Sequence, residues 1–160
     1  MESGPEQGTI FKILFPQTEE KPVLEKKKVI VKSPLQLDNN IRILLVDDEE
    51  SVLKSLQLIL QIRGFRVEGQ TDPGKALKLL RSDPNQIDLI ITDMTMPGIC
   101  GDELAIKALK IRHDIPIILC TGFNDRIDEK RAGEIGIRKY MEKPFTEDEI
   151  FQAINEVMRK

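Results

Sequence analysis

Apolar positions along this chain follow two alternating rhythms from Ile41 to the end. Ile41-Arg42-Ile43-Leu44-Leu45-Val46 is dense enough to predict a strand, and it stops at Asp47-Asp48-Glu49-Glu50. Helical spacing follows through Val52, Leu56, Ile59 and Leu60, widened by Leu53 and Ile62, until Gly64 ends it. Phe65 to Gln70 alternates as a second strand. Pro73, at a first-turn position where its missing N–H costs little, opens a helix whose buried side is Ala76, Leu77, Leu79 and Leu80. The run Leu89-Ile90-Ile91 is too short for a free-standing helix and rich in β-branched residues. It predicts a third strand buried on both faces, ending on Thr92-Asp93.

A helix from about Asp102 to Ile111 carries Leu104, Ile106, Ala108 and Leu109. Pro116 to Cys120 is a fourth strand ending at Thr121-Gly122, and Ile137 to Met141 a fifth ending at Lys143-Pro144. Between them Asn124 to Ile135 is helical in propensity but has only Ile127, Ala132 and Ile135 to bury. The last helix opens with Thr146-Glu147-Asp148-Glu149, a capping box, and bears the stripe Ile150, Ile154 and Val157. Five short apolar strands alternating with five helices predict an α/β fold, a doubly wound five-stranded parallel sheet of flavodoxin-like order 2-1-3-4-5.

The first forty residues are different. Gly8 to Pro16 alternates as one strand with a proline stop, and Gln17 to Asn40 is a charged linker containing Pro22 and Pro34. Its Lys26-Lys27-Lys28 run is nearly cancelled by Glu19, Glu20 and Glu25, so it predicts a solvated tether. Domain boundaries follow at 1–16, 17–40 and 41–160.

Net charge and cysteines narrow the function. A formal charge of −3 over 160 residues, with a pI near 5.4, argues against a general nucleic-acid binder. No apolar run nears the roughly 18 residues of a membrane span, and the N-terminus lacks a secretory pattern. Cys100 and Cys120 sit in no metal or redox spacing and read as reduced thiols of a cytoplasmic protein, with Cys120 in the core. His113, in a polar turn, reads as solvated.

The chemistry collects at strand ends. In a parallel sheet Asp47-Asp48, Asp93, Thr121 and Lys143 all fall at the carboxyl edge, where open α/β sheets bind ligands. Taken singly, the acids could be helix caps and the others ordinary turns. Together they predict three crowded carboxylates, which repel one another unless a cation lies between them. An oxygen-only donor set suits Mg²⁺. Lys143 and the Thr121 hydroxyl opposite would complete a cradle for a phosphoryl dianion.

These residues resemble the receiver domains of two-component response regulators. The resemblance covers Ile41 to about Lys160 and rests on Asp47-Asp48-Glu49, Asp93 with Met96-Pro97 and Gly101, Thr121-Gly122, and Lys143-Pro144-Phe145. It implies that Asp93 accepts a phosphoryl group from a histidine kinase or a histidine phosphotransfer protein. It implies that Asp48, Asp93 and the Thr95 carbonyl ligate Mg²⁺ directly, with Asp47 acting through water. Lys143 and Thr121 would contact phosphoryl oxygens, and the Lys143-Pro144 bond would be cis. Tyr140 matches the family's switch aromatic, so phosphorylation would alter the face made by the fourth helix and fifth strand.

Gly8-Thr9-Ile10-Phe11 running to Pro16 is similar to the final strand of a histidine-kinase ATP-binding domain. That similarity implies the C-terminal part of a hybrid histidine kinase, with no independent enzyme in this stretch, no DNA-binding module after Lys160, no membrane contact and residues 1 to 15 unpaired with the receiver. A dimer could form through the fourth-helix face or the N-terminal strand. The rival readings are a haloacid-dehalogenase-type phosphatase, which needs an acid where Thr95 stands, and a scaffold that is never phosphorylated.

Overall fold

In the computed structural model, residues 2–4, 8–10, 12–14, 40–122 and 129–159 are described. The chain divides into two compact units, Met1–Lys32 and Ser33–Lys160. In the first, β1 (Glu2–Gly4) pairs antiparallel with β2 (Gly8–Ile10), Ser3 opposite Thr9. This corrects the expectation of one strand over residues 8–16. Lys12, Ile13 and Leu14 have no strand structure, and Ile13 and Leu14 are 74% and 93% exposed. An alternating pattern makes a strand only where one of its faces is covered. These two side chains are not covered. Phe11, Phe15, Pro16 and the linker over 17–39 lie outside the described residues.

The second unit contains β3 (Arg42–Val46), α1 (Glu50–Ile62), β4 (Arg66–Gln70), α2 (Pro73–Ser82), β5 (Leu89–Asp93), α3 (Gly101–Ile111), β6 (Ile117–Thr121), α4 (Glu129–Ile135), β7 (Lys139–Glu142) and α5 (Glu147–Met158). All strand pairs are parallel, and the order β4-β3-β5-β6-β7 is the 2-1-3-4-5 order that the sequence predicts. β5 and β6 are buried at every position, whereas β4 and β7, at the two edges of the sheet, are partly exposed.

Successive residues of the central strands feed two separate cores. Leu44, Val46, Ile90, Ile117 and Leu119 pack with Leu77 and Leu80 of α2 and Leu104 and Ala108 of α3. On the opposite face, Ile43, Leu45, Leu89, Ile91 and Ile118 pack with Leu53 and Leu60 of α1 and Ile150, Phe151 and Ile154 of α5. The predicted capping box forms between Thr146 and Glu149, and Asp72 caps α2 by accepting from the Gly74 and Lys75 N–H groups. Each such cap is worth about 1 kcal/mol.

The third helix starts at Gly101, one residue before the expected start. The segment 124–128 of the weakly apolar helix is outside the described residues, and α4 proper is seven residues long with Ala132 buried. No helix among the described residues is long and apolar enough to cross a membrane.

Candidate functional site

Sheet hydrogen bonding continues one step past each strand and carries the polar residues with it. The Asp47 N–H donates to Gln70 O at 3.3 Å, Met94 N–H to Cys120 O at 2.8 Å, and Lys143 N–H to Thr121 O at 2.7 Å. Since Val46 lies opposite Thr92, Asp93 opposite Cys120 and Thr121 opposite Glu142, the register brings four predicted residues to one patch of the carboxyl edge.

Lys143 is the centre of that patch. Its Nζ lies 2.6 Å from Asp93 Oδ1 and 3.0 Å from Asp47 Oδ2. The other carboxylate oxygens take backbone donors: Thr95 N–H reaches Asp93 Oδ2 at 2.7 Å, and Glu49 N–H reaches Asp47 Oδ1 at 3.0 Å. Both acids are almost fully buried, and Lys143 is about one-third exposed. One ammonium therefore serves two buried carboxylates, leaving a net negative charge in a poorly solvated place.

The titration behaviour follows from that imbalance. Burial raises the Asp93 carboxyl above its ordinary value, and the nearby Asp47 charge adds to this. The Lys143 ammonium and Thr95 N–H oppose the rise without cancelling it. For Lys143, burial works against the charged form, but the two carboxylates together outweigh it and hold the ammonium above its usual range. Cys120, across from Asp93 in the sheet, has its thiol pushed up to about 12, chiefly by burial. It is not a nucleophile in this site.

Other predicted residues stand further from the centre. Asp48 is exposed, so the three crowded carboxylates expected from the sequence are two sharing a cation and a third facing water. Thr121 is fully buried, and its hydroxyl donates to Met141 O at 3.4 Å. Thr95 is exposed, and Tyr140 is half-buried against the core under α2 and α3. The Lys143-Pro144 bond is cis. Thr92 was not singled out from the sequence. It is fully buried and donates from Oγ1 to Asp93 O at 3.0 Å, and its signal was a hydroxyl at the end of an otherwise aliphatic run.

Among the described residues no three acidic, histidine or cysteine side chains form a ready-made metal cluster. The donor set nevertheless fits a hard divalent cation. It is all oxygen, it carries surplus negative charge, and Mg²⁺ needs only one or two carboxylates while keeping several waters.

A flavodoxin-like sheet whose carboxyl edge presents a buried acid, a second acid and a lysine defines a carboxylate-centred site at a strand end. The chain belongs to the response regulator receiver domain family, whose profile matches residues 43–155. It is 34% identical over 119 residues to the transcriptional regulatory protein CpxR of Escherichia coli K12, covering 74% of this chain and 50% of that one. It is 31% identical over 121 residues to the alkaline phosphatase synthesis transcriptional regulatory protein PhoP of Bacillus subtilis, covering 76% and 50%. The chain thus spans about half the length of the curated relatives it matches. Its fold superposes on a receiver domain protein from Clostridium thermocellum with a TM-score of 0.71 at 30% identity, covering 74% of this chain and 94% of that one. It also superposes on the receiver domain of the hybrid histidine kinase CckA, with a TM-score of 0.62 at 27% identity and coverage of 74% and 99%. The module is therefore one of phosphorylation-based signalling, and the haloacid-dehalogenase reading is set aside.

Proposed function

We propose that Asp93 is the phosphoacceptor of this receiver and that the surrounding charges select it for that role. The carrying observation is the single ammonium shared by two buried carboxylates. Asp93 attacks the phosphorus of a donor phosphohistidine; a phosphorus–oxygen bond forms, the phosphorus–nitrogen bond breaks, and the imidazole leaves with the bonding pair. Asp48, Asp93 and the Thr95 carbonyl, with Asp47 behind a water, are the residues that would hold Mg²⁺, which would neutralise phosphoryl charge.

Lys143 is already within hydrogen-bond reach of Asp93 Oδ1, the atom that would carry the phosphoryl group. It transfers its contact from carboxylate to phosphoryl oxygen as the bond forms, which stabilises the transition state more than the ground state. The product carries about −1.5 to −2 charge at neutral pH in place of one carboxylate charge. The Thr121 hydroxyl then leaves Met141 O for a phosphoryl oxygen, and Tyr140 moves into the space vacated. The face made by α4 and β7 changes in consequence.

The donor docks beside the site. Val52, Leu56 and Ile59 of α1 and Phe145 border an apolar hollow of about 310 Å³, and Phe145 lies two residues from Lys143. This collar fits an amphipathic helix that presents a phosphohistidine, as in a histidine kinase or a histidine phosphotransfer protein. A hybrid-kinase origin is supported by the similarity of Gly8-Thr9-Ile10-Phe11 to the last strand of a kinase ATP-binding domain and by the likeness to the CckA receiver.

Incubation with a small acyl phosphate and Mg²⁺, followed by intact-mass measurement, tests the reading. The wild type should gain one phosphoryl group and Asp93→Asn none. Equal gain in both proteins would sink the assignment.

A further inference from the structure

Gly101, the first residue of α3, lies against the backbone of Asp93. A Cβ at this position would be 2.2 Å from the Asp93 carbonyl oxygen, 3.0 Å from its carbonyl carbon and 2.7 Å from Leu119 Cδ1. The first two are main-chain atoms of a central strand, and unlike the tip of a side chain they cannot rotate away. The helix start is also bonded to this strand, since Gly101 N–H donates to Met94 O at 2.9 Å and Met94 N–H to Cys120 O at 2.8 Å. No left-handed φ explains the glycine; the positive-φ glycines here are Gly64, Gly98 and Gly136 among the described residues. Helix propensity alone would favour alanine. Space is what position 101 requires.

We propose that Gly101 is a positioning residue for Asp93: by lacking a side chain it lets α3 seat directly on the Asp93 carbonyl and fixes where the carboxylate meets the incoming phosphoryl group. This rests on Asp93 being the acceptor. The Asp93 carboxylate is held from two directions, by Thr95 N–H in the loop leading to Gly101 and by Lys143 beyond β7. A side chain at 101 pushes the Asp93 backbone, and the loop that carries Thr95, away from α3 while Lys143 stays with β7. The carboxylate then loses its alignment to one anchor or the other. Misplacement on the ångström scale costs on the order of 10²-fold in rate.

The test compares Gly101→Ala with Ala108→Gly, a buried change two turns along the same helix that touches core rather than Asp93. Both proteins are checked for native circular dichroism, and the folded fraction is measured by urea titration. Phosphorylation by an acyl phosphate with Mg²⁺ is then timed by intact mass, and the Asp93 carboxyl is titrated by NMR.

The proposal expects Gly101→Ala to be slowed about 100-fold while folded, with a shifted Asp93 titration, and Ala108→Gly to keep close to the wild-type rate and titration. A folded Gly101→Ala protein with the wild-type rate would overturn it, as would equal slowing of both variants. Failure of Gly101→Ala to fold would also overturn it, since the contact would then hold the domain together rather than the carboxylate. A wild type that takes up no phosphoryl group overturns the acceptor reading itself, before any variant is compared.

Discussion

At the amino edge of the sheet, three arginines reach over to backbone carbonyls of neighbouring segments. Arg42 donates to Asn85 O at 2.7 Å and lies 3.5 Å from Asp88. Arg112 donates to Pro84 O and Ile87 O and pairs with Asp114, and Arg138 donates to Val157 O and Asp114 O. At the carboxyl edge, two buried acids share one lysine. Both edges are charged, yet each guanidinium at the first is met by more than one acceptor, while the second keeps an anionic surplus out of water. Charge matched by several acceptors fastens a fold. Charge left unbalanced and buried is held at a cost, and such places are where chemistry is found.

The contrast predicts that equal truncations at the two edges do unequal things. Lys143→Ala should slow acyl-phosphate phosphorylation by about 100-fold or more, because it removes the donor aimed at the reacting oxygen. It should also destabilise the domain by about 1–2 kcal/mol, less than a fully buried pair would cost because the lysine is one-third exposed. Arg112→Ala should cost about 2 kcal/mol in urea unfolding, from several lost hydrogen bonds, and leave the phosphorylation rate of the folded protein unchanged. If Arg112→Ala slowed phosphorylation as much as Lys143→Ala, the two edges would not be separable.

A smaller effect tests the imbalance itself. The folded protein holds the Asp93 proton more firmly than the unfolded chain does, because burial raises its carboxyl above the ordinary value. Ionising it therefore removes stability as pH rises from the ordinary carboxylate range through the raised one. Asp93→Asn should melt higher than wild type at neutral pH, and the gain should vanish as pH falls below that range. A lower melting point at neutral pH would mean that the Lys143 pairing outweighs burial.

Much of this was legible in the sequence because strand ends and helix caps obey short-range rules. The order of the five strands followed from apolar runs and right-handed crossovers, and Asp47, Asp93, Thr121 and Lys143 followed from where those runs stopped. The positions that escaped were those set by three-dimensional packing. That Lys143 contacts both acids directly, and that Asp48 faces water, depends on side-chain directions beyond the strand ends. The hydroxyl of Thr92 bonds the Asp93 carbonyl through a contact that spacing does not encode, and spacing marked Gly101 without revealing that it lies against the Asp93 backbone. In the N-terminal unit the alternation of Gly8 to Pro16 suggested a long strand, but β2 ends at Ile10 and pairs with a three-residue partner that no pattern announced.

The most direct measurement finds the atom that carries the phosphoryl group. After treatment with an acyl phosphate and Mg²⁺, borohydride reduction converts an aspartyl phosphate to homoserine, which peptide mass mapping locates. The unbalanced carboxyl edge predicts homoserine at position 93 alone. Reduction at Asp47 or Asp48, or no reduced residue at all, would contradict it.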